Sequence, residues 1–135
     1  MKNKRSVEFK KIPINASYGE VINDVYLVIE NGKCKVLDSL NSLETDKKDE
    51  IIVIISNMAT IKNFRSKKIR YLLKKYSYGE IKPFGHRVFF FKKCGNNIIL
   101  FDYKTKKKGS LGDSVYKQIE KEKIYYEQEF RKYYK

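Results

Sequence analysis

Residues 76–108 read YSYGEIKPFGHRVFFFKKCGNNIILFDYKTKKK, and the fold turns on them. Apolar side chains recur at period two or in short unbroken runs over Tyr76 to Lys82, Arg87 to Lys93 and Ile98 to Lys104, the pattern of strands. Pro83-Phe84-Gly85 separates the first two runs and Cys94-Gly95-Asn96-Asn97 the second two. Both clusters favour turns and are short enough to join antiparallel neighbours. A three-stranded meander is expected.

Outward from this stretch the pattern changes. After Gly109 and Gly112, Val115, Ile119, Tyr126, Phe130 and Tyr133 share one helical stripe, with Asp113 or Ser114 as its cap. Upstream, Val25 to Glu30 and Lys33 to Leu37 alternate around Asn31-Gly32, which predicts a hairpin or a strand ending in a tight turn. Asp46-Lys-Lys-Asp49 precedes Ile51, Ile52, Ile55, Met58 and Ala59 at helical spacing, which predicts a helix capped by Asp46. The β-branched run Ile51 to Ile55 also suits a buried strand. Ile61 to Lys75 reads as a short basic helix or an ordered loop.

At 135 residues the chain has the size of one domain. With 41% hydrophobic residues it can bury a core, and 2 Pro with 7 Gly argue against a disordered tail or fibrous repeat. The longest apolar runs, Ile51 to Ile55 and Val88 to Phe91, are too short to span a membrane. Met1-Lys-Asn-Lys-Arg5 resembles the start of an export signal, but Glu8, Lys10 and Lys11 interrupt the apolar core that such a signal needs. A cytoplasmic protein without membrane contact is expected. Cys34 and Cys94 form no Cys-x-x-Cys pair and have only His86 for company, so free thiols are expected, with no zinc site and no cofactor.

The net charge of +14 is not spread evenly. Residues 1–61 hold nine basic and nine acidic side chains, and residues 109–135 hold six and five. Residues 62–108 hold fifteen basic side chains against two acidic ones, Glu80 and Asp102. Coding bias toward lysine would not confine the excess to one third of the chain. A polyanion suits such a patch, because neutralised phosphates release counterions and the field speeds encounter. Phe64, Tyr71, Tyr76, Tyr78, Phe84 and Tyr103 interleave the cations. Such rings can stack on unpaired bases, although more often they form core. A membrane surface or an acidic protein is the alternative partner.

Chemistry narrows the choice. Two acids in the basic stretch do not make a carboxylate cluster for metal-assisted hydrolysis. Gly109-Ser-Leu-Gly112 lacks the spacing of a phosphate-binding loop, and no Gly-Lys-Ser/Thr occurs. RNA cleavage without metal stays open, because the 2′-hydroxyl is the nucleophile and the protein need only move protons and stabilise a phosphorane. A lysine crowded by cations loses its proton more easily, while arginine stays charged and clamps phosphate. Lys82, His86, Arg87 and Lys104 to Lys108 form the pool for such a site.

Tyr78-Gly-Glu-Ile-Lys82, His86-Arg-Val-Phe-Phe-Phe-Lys-Lys93, Asn97-Ile-Ile-Leu-Phe-Asp-Tyr-Lys-Thr-Lys-Lys-Lys108 and a closing helix, in that order, resemble the RelE/HigB-like toxins of bacterial type II toxin–antitoxin modules. In that family a strand ending in a Glu-Leu-Arg type motif precedes a Tyr-Arg-apolar strand, a second apolar strand, a Lys-Lys-Thr-x-Lys stretch and a final helix. Tyr26 to Leu43 resembles the family's opening strand and first helix. The resemblance covers residues 25–130, making 1–24 an N-terminal extension to a toxin domain of residues 25–135. It implies an α+β fold, a small antiparallel sheet flanked by N-terminal helices and a C-terminal helix. It also implies an endoribonuclease acting on mRNA, often at the ribosome, and restrained by a cognate antitoxin.

On this resemblance Lys82 takes the place of the first motif arginine, without its bidentate fork. Arg87 takes that of the second, and Lys106 and Lys107 stand in the lysine-rich turn. With His86 as a further acid or base, these are the candidate catalytic residues. Lys67, Lys68, Arg70, Lys74, Lys75, Lys104 and Lys108 are candidates for RNA binding. Tyr116 can reach the site from the start of the last helix, although a tyrosine on a helical stripe more often packs. Two rivals stand beside this reading: a basic RNA- or DNA-binding protein without catalysis, and a ParE-like toxin directed at DNA gyrase.

Overall fold

The computed structural model describes residues 5–83, 85–105 and 111–134. Six strands form one sheet: β1 Val7–Lys11, β2 Val25–Glu30, β3 Ile69–Arg70, β4 Gly79–Ile81, β5 His86–Lys93 and β6 Asn97–Thr105. Helices α1 (Lys35–Asn41) and α2 (Thr45–Thr60) lie between β2 and β3, and α3 (Asp113–Tyr133) follows β6. The strand order is β1-β2-β6-β5-β4-β3. All neighbours are antiparallel except β2 and β6, which are parallel.

The fold is α+β, but the sheet is mixed where an antiparallel one was expected. Connectivity is the reason: α1 and α2 carry the chain across one face after β2, a crossover long enough for a later strand to return alongside β2 in the same direction. These helices follow two strands instead of preceding the sheet. Residues 7–11, within the stretch read as an extension, form its outer strand against β2. The expected meander is present as β4, β5 and β6, with its first strand shortened to three residues.

The sheet has a core on each face. Val25, Leu27, Ile81, Val88, Phe90, Ile98 and Leu100 pack against Val36 and Leu40 of α1 and Ile51, Ile55 and Met58 of α2. Phe9, Tyr26, Val28, Phe89, Phe91, Ile99 and Phe101 pack against Ile119, Tyr126 and Phe130 of α3. Burial on both faces explains why β5 and β6 carry unbroken apolar runs instead of alternation. A bulge lies between the pairs Phe89↔Asp102 and Phe90↔Leu100. It leaves Phe101 without a cross-strand partner, and Phe101 packs into the α3 core.

Asn31 (φ 53°) and Gly32 (φ 77°) make the tight turn after β2, closed by a Glu30–Lys33 bridge. The second arm of the expected hairpin is instead α1, because Val36 and Leu40 at i, i+4 bury one helical face. The 51–55 run is helical, and the cap of α2 falls on Glu44, with Asp46 in the first turn. Gly112, not Asp113 or Ser114, caps α3. Ile61 to Lys75 is irregular apart from β3. Gly79 has no room for a side chain: a Cβ there would lie 2.4 Å from Arg70 O and 2.6 Å from Tyr71 O. Among the described residues, no helix is long and apolar enough to cross a membrane.

Candidate nucleic-acid interface

Strands β3 to β6 bring part of the basic stretch to one end of the sheet. Arg87 lies opposite Lys104 across β5 and β6. The β4–β5 register, Ile81↔Val88, continued by one residue, places Lys82 beside Arg87. Lys82 N–H donates to Lys68 O at 2.6 Å, extending the β3–β4 pairing. Backbone positions of Lys68, Lys82, Arg87 and Lys104 therefore form one line across four chain segments.

Arg87 does not present its charge to solvent. Its side chain is 11% exposed and its Nε lies 3.6 Å from Glu80 Oε1. Its Nη1 donates to His86 O at 2.8 Å and to Pro83 O at 3.4 Å. Glu80 is buried, and its Oε2 lies 3.8 Å from Arg70 Nε. A carboxylate buried this deeply requires such partners. Tyr116 of α3 adjoins the group: burial first, then the charge of Glu80, raises its phenol pKa. Arg87 thus braces β5 against β4 beneath the start of α3.

His86 faces the other way. Successive strand residues point to opposite faces, and His86 Nδ1 hydrogen-bonds the Tyr103 hydroxyl at 2.5 Å, with Tyr103 in the α1/α2 core. Burial pushes its pKa below the usual histidine value, so the ring is neutral at pH 7. The structure thus separates His86 from Arg87, although they are adjacent in sequence.

Beside Lys104 a cleft of about 400 Å³ opens between β6 and α3, lined by Lys33, Lys35, Asp102, Lys104, Ser114 and Gln118, among others. Lys35 Nζ reaches Asp102 Oδ1 at 2.5 Å. Burial lowers the Lys104 pKa below that of an ordinary lysine; Asp102 opposes the shift and Lys35 adds to it. Across the first turns of α3 lies a groove of about 380 Å³ lined by Arg70, Lys74, Lys75, Tyr76 and Tyr116. The Tyr76 and Tyr116 rings stack there at 5.9 Å, and the Tyr76 hydroxyl donates to Asp113.

The remaining candidates lie elsewhere. Lys68 is ion-paired with Glu50 of α2, and Lys67 borders a separate surface hollow with Arg65 and Tyr71. A further cleft, of about 540 Å³, lies at the end of α2 and carries Lys62, Arg65 and Lys92. Lys106, Lys107 and Lys108 are outside the described residues. Cys34 and Cys94 are separate free thiols. Among the described residues, no three His, Cys, Asp or Glu side chains group as metal ligands.

Sequence reasoning did not find Lys35. It comes from the electrically neutral first part of the chain, and only the parallel β2–β6 pairing sets it beside Asp102 and Lys104. Compared with protein-family models, curated proteins and solved structures, the chain matches none of them.

Proposed function

We propose that this chain is a ribonuclease toxin that cleaves mRNA without a metal, free or at the ribosome, and is restrained by a cognate antitoxin. The observation that carries the reading is the cross-strand backbone line of Lys82, Arg87 and Lys104, whose last member, Lys104, lines the α3 cleft with Lys35. The order of elements supports it: β2, α1, β4, β5, β6 and α3 follow the order that the motif resemblance implies.

In the proposed reaction the 2′-hydroxyl attacks the neighbouring phosphorus and the bond to the 5′-oxygen breaks. A 2′,3′-cyclic phosphate and a 5′-hydroxyl result. Lys104, with its lowered pKa, accepts the proton from the 2′-hydroxyl. Lys82 and Lys35 meet the added charge on the phosphorane. The proton for the leaving oxygen falls to Lys106 or Lys107, the lysines of the resembling motif. Arg87 is a positioning residue, holding β4 and β5 in register through Glu80. His86 faces away and takes no part. Arg70, Lys74 and Lys75, with Tyr76 and Tyr116, carry the flanking strand of RNA.

Burial of Arg87 favours a second reading, a basic RNA-binding module without catalysis. One experiment separates the two: mRNA is incubated with purified protein in chelator, with and without ribosomes. Cleavage that is lost in Lys82→Ala and Lys104→Ala supports the nuclease. RNA that is bound but intact under both conditions supports the module.

A further inference from the structure

Strand β1 is the outer strand of the sheet, and no strand among the described residues pairs with its free edge. Its contacts with β2 fix which residues turn outward. Ser6 O accepts from Asn31 N at 2.7 Å, and Ile12 N donates to Val25 O at 2.8 Å. Even-numbered residues therefore direct their backbone groups toward β2, and Val7, Phe9 and Lys11 direct theirs away. Donors and acceptors at every second residue are what a further antiparallel strand requires.

The strand reads Val7-Glu8-Phe9-Lys10-Lys11, and it is complementary to its own reverse. Around a two-fold axis at Phe9, Glu8 of each copy faces Lys10 of the other, and Val7 faces Lys11. This register sets outward-directed residues opposite outward-directed residues, the condition for forming both backbone hydrogen bonds of each such pair. Glu8 and Lys10 are exposed, and neither belongs to an ion pair among the described residues. On the opposite side of the strand, Phe9 packs on Phe130 and Tyr133 at 5.0 and 5.3 Å. Tyr133 and Tyr134 remain 52% and 42% exposed, an aromatic surface beside the open edge.

We propose that the protein forms a two-fold dimer through β1, joining two sheets edge to edge. The occupant of the edge is a second copy of this chain. Lysines on a free edge ordinarily discourage strand addition. The glutamate two residues before Lys10 makes that barrier selective, because an antiparallel copy in this register answers both charges. The proposal does not depend on the ribonuclease reading.

Sedimentation velocity of the full chain over a concentration series tests it. The wild type is expected to dimerise. Glu8→Lys and Lys10→Glu each set like charges face to face at two places and are expected to raise the dimer Kd about tenfold or more. The double variant E8K/K10E restores both pairs and is expected to dimerise as the wild type does. An equimolar mixture of the two single variants, each complementary to the other, is expected to form a heterodimer. All substituted side chains are exposed, and far-UV circular dichroism checks that each variant is folded. A wild type that stays monomeric, single variants that dimerise unchanged, or a double variant that fails to recover overturns the proposal.

Discussion

Arg87 shows how a residue's neighbours in space revise its role. In the sequence it is a cation beside a histidine, and both suit phosphate chemistry. In the structure its guanidinium lies 3.6 Å from a buried glutamate, and the histidine turns to the other core. Removing one partner of a buried ion pair strands the other's charge. Arg87→Ala is therefore expected to cost about 3 kcal/mol of stability in denaturant unfolding, with Glu80→Gln/Arg87→Met losing less. A loss of activity in Arg87→Ala alone therefore says nothing about contact with RNA.

His86 carries a pH consequence. Its folded-state pKa lies below the unfolded value near 6.5. The unfolded chain binds the extra proton first, so stability falls as pH drops below about 6.5. Glu30 and Glu50 also have lowered pKa values, from their Arg5 and Lys68 partners respectively, and at Glu127 burial is outweighed by Lys123 and Lys93 together, which lower it too. Their contribution is lost only at lower pH, below about 4.5, as pH falls through their folded values. Unfolding midpoints measured from pH 7 to 5 should therefore decline in the wild type and flatten in His86→Gln.

At the level of elements, the strands of the meander were legible because β5 and β6 are buried on both faces and their apolar runs are continuous. The segment after Gly32 was not, since Lys33-Cys-Lys-Val-Leu37 fits alternation as well as a helix. Long-range packing of Val36 and Leu40 against the sheet decided it. The bulge at Phe101 had no local signal either, being set by what packs on each face. Gly79 gives the sharpest test at this scale. A methyl group there would meet the Arg70 and Tyr71 carbonyls, so Gly79→Ala is expected to cost about 2 kcal/mol by overpacking. Thermal unfolding measures the loss, and a midpoint equal to the wild type would show that β3 sits farther from β4 than described.

For the whole molecule, the charge excess of residues 62–108 predicted a basic surface but not its division. One part lines the clefts on either side of α3, with Arg70, Lys74, Lys75 and Lys104. Another, with Lys62, Arg65 and Lys92, lies at the end of α2. Sequence periodicity could not anticipate the parallel β2–β6 contact, because pairing between distant strands leaves no local pattern. That contact recruits Lys35 to the site. If single-stranded RNA engages about five of these cations, its affinity should fall about a hundredfold for a fourfold rise in salt. Fluorescence anisotropy at increasing salt checks this, and a flat response would separate the basic surface from RNA.

The nuclease account is tested most directly by the ends of RNA fragments formed in chelator, with ribosomes present, by the wild type and by Lys104→Arg. Arginine keeps the charge but does not release its proton. The account predicts 2′,3′-cyclic phosphate and 5′-hydroxyl ends from the wild type, formed at least about a hundredfold more slowly by the variant. Intact RNA, fragments with 3′-hydroxyl and 5′-phosphate ends, or an undiminished rate in Lys104→Arg would contradict it.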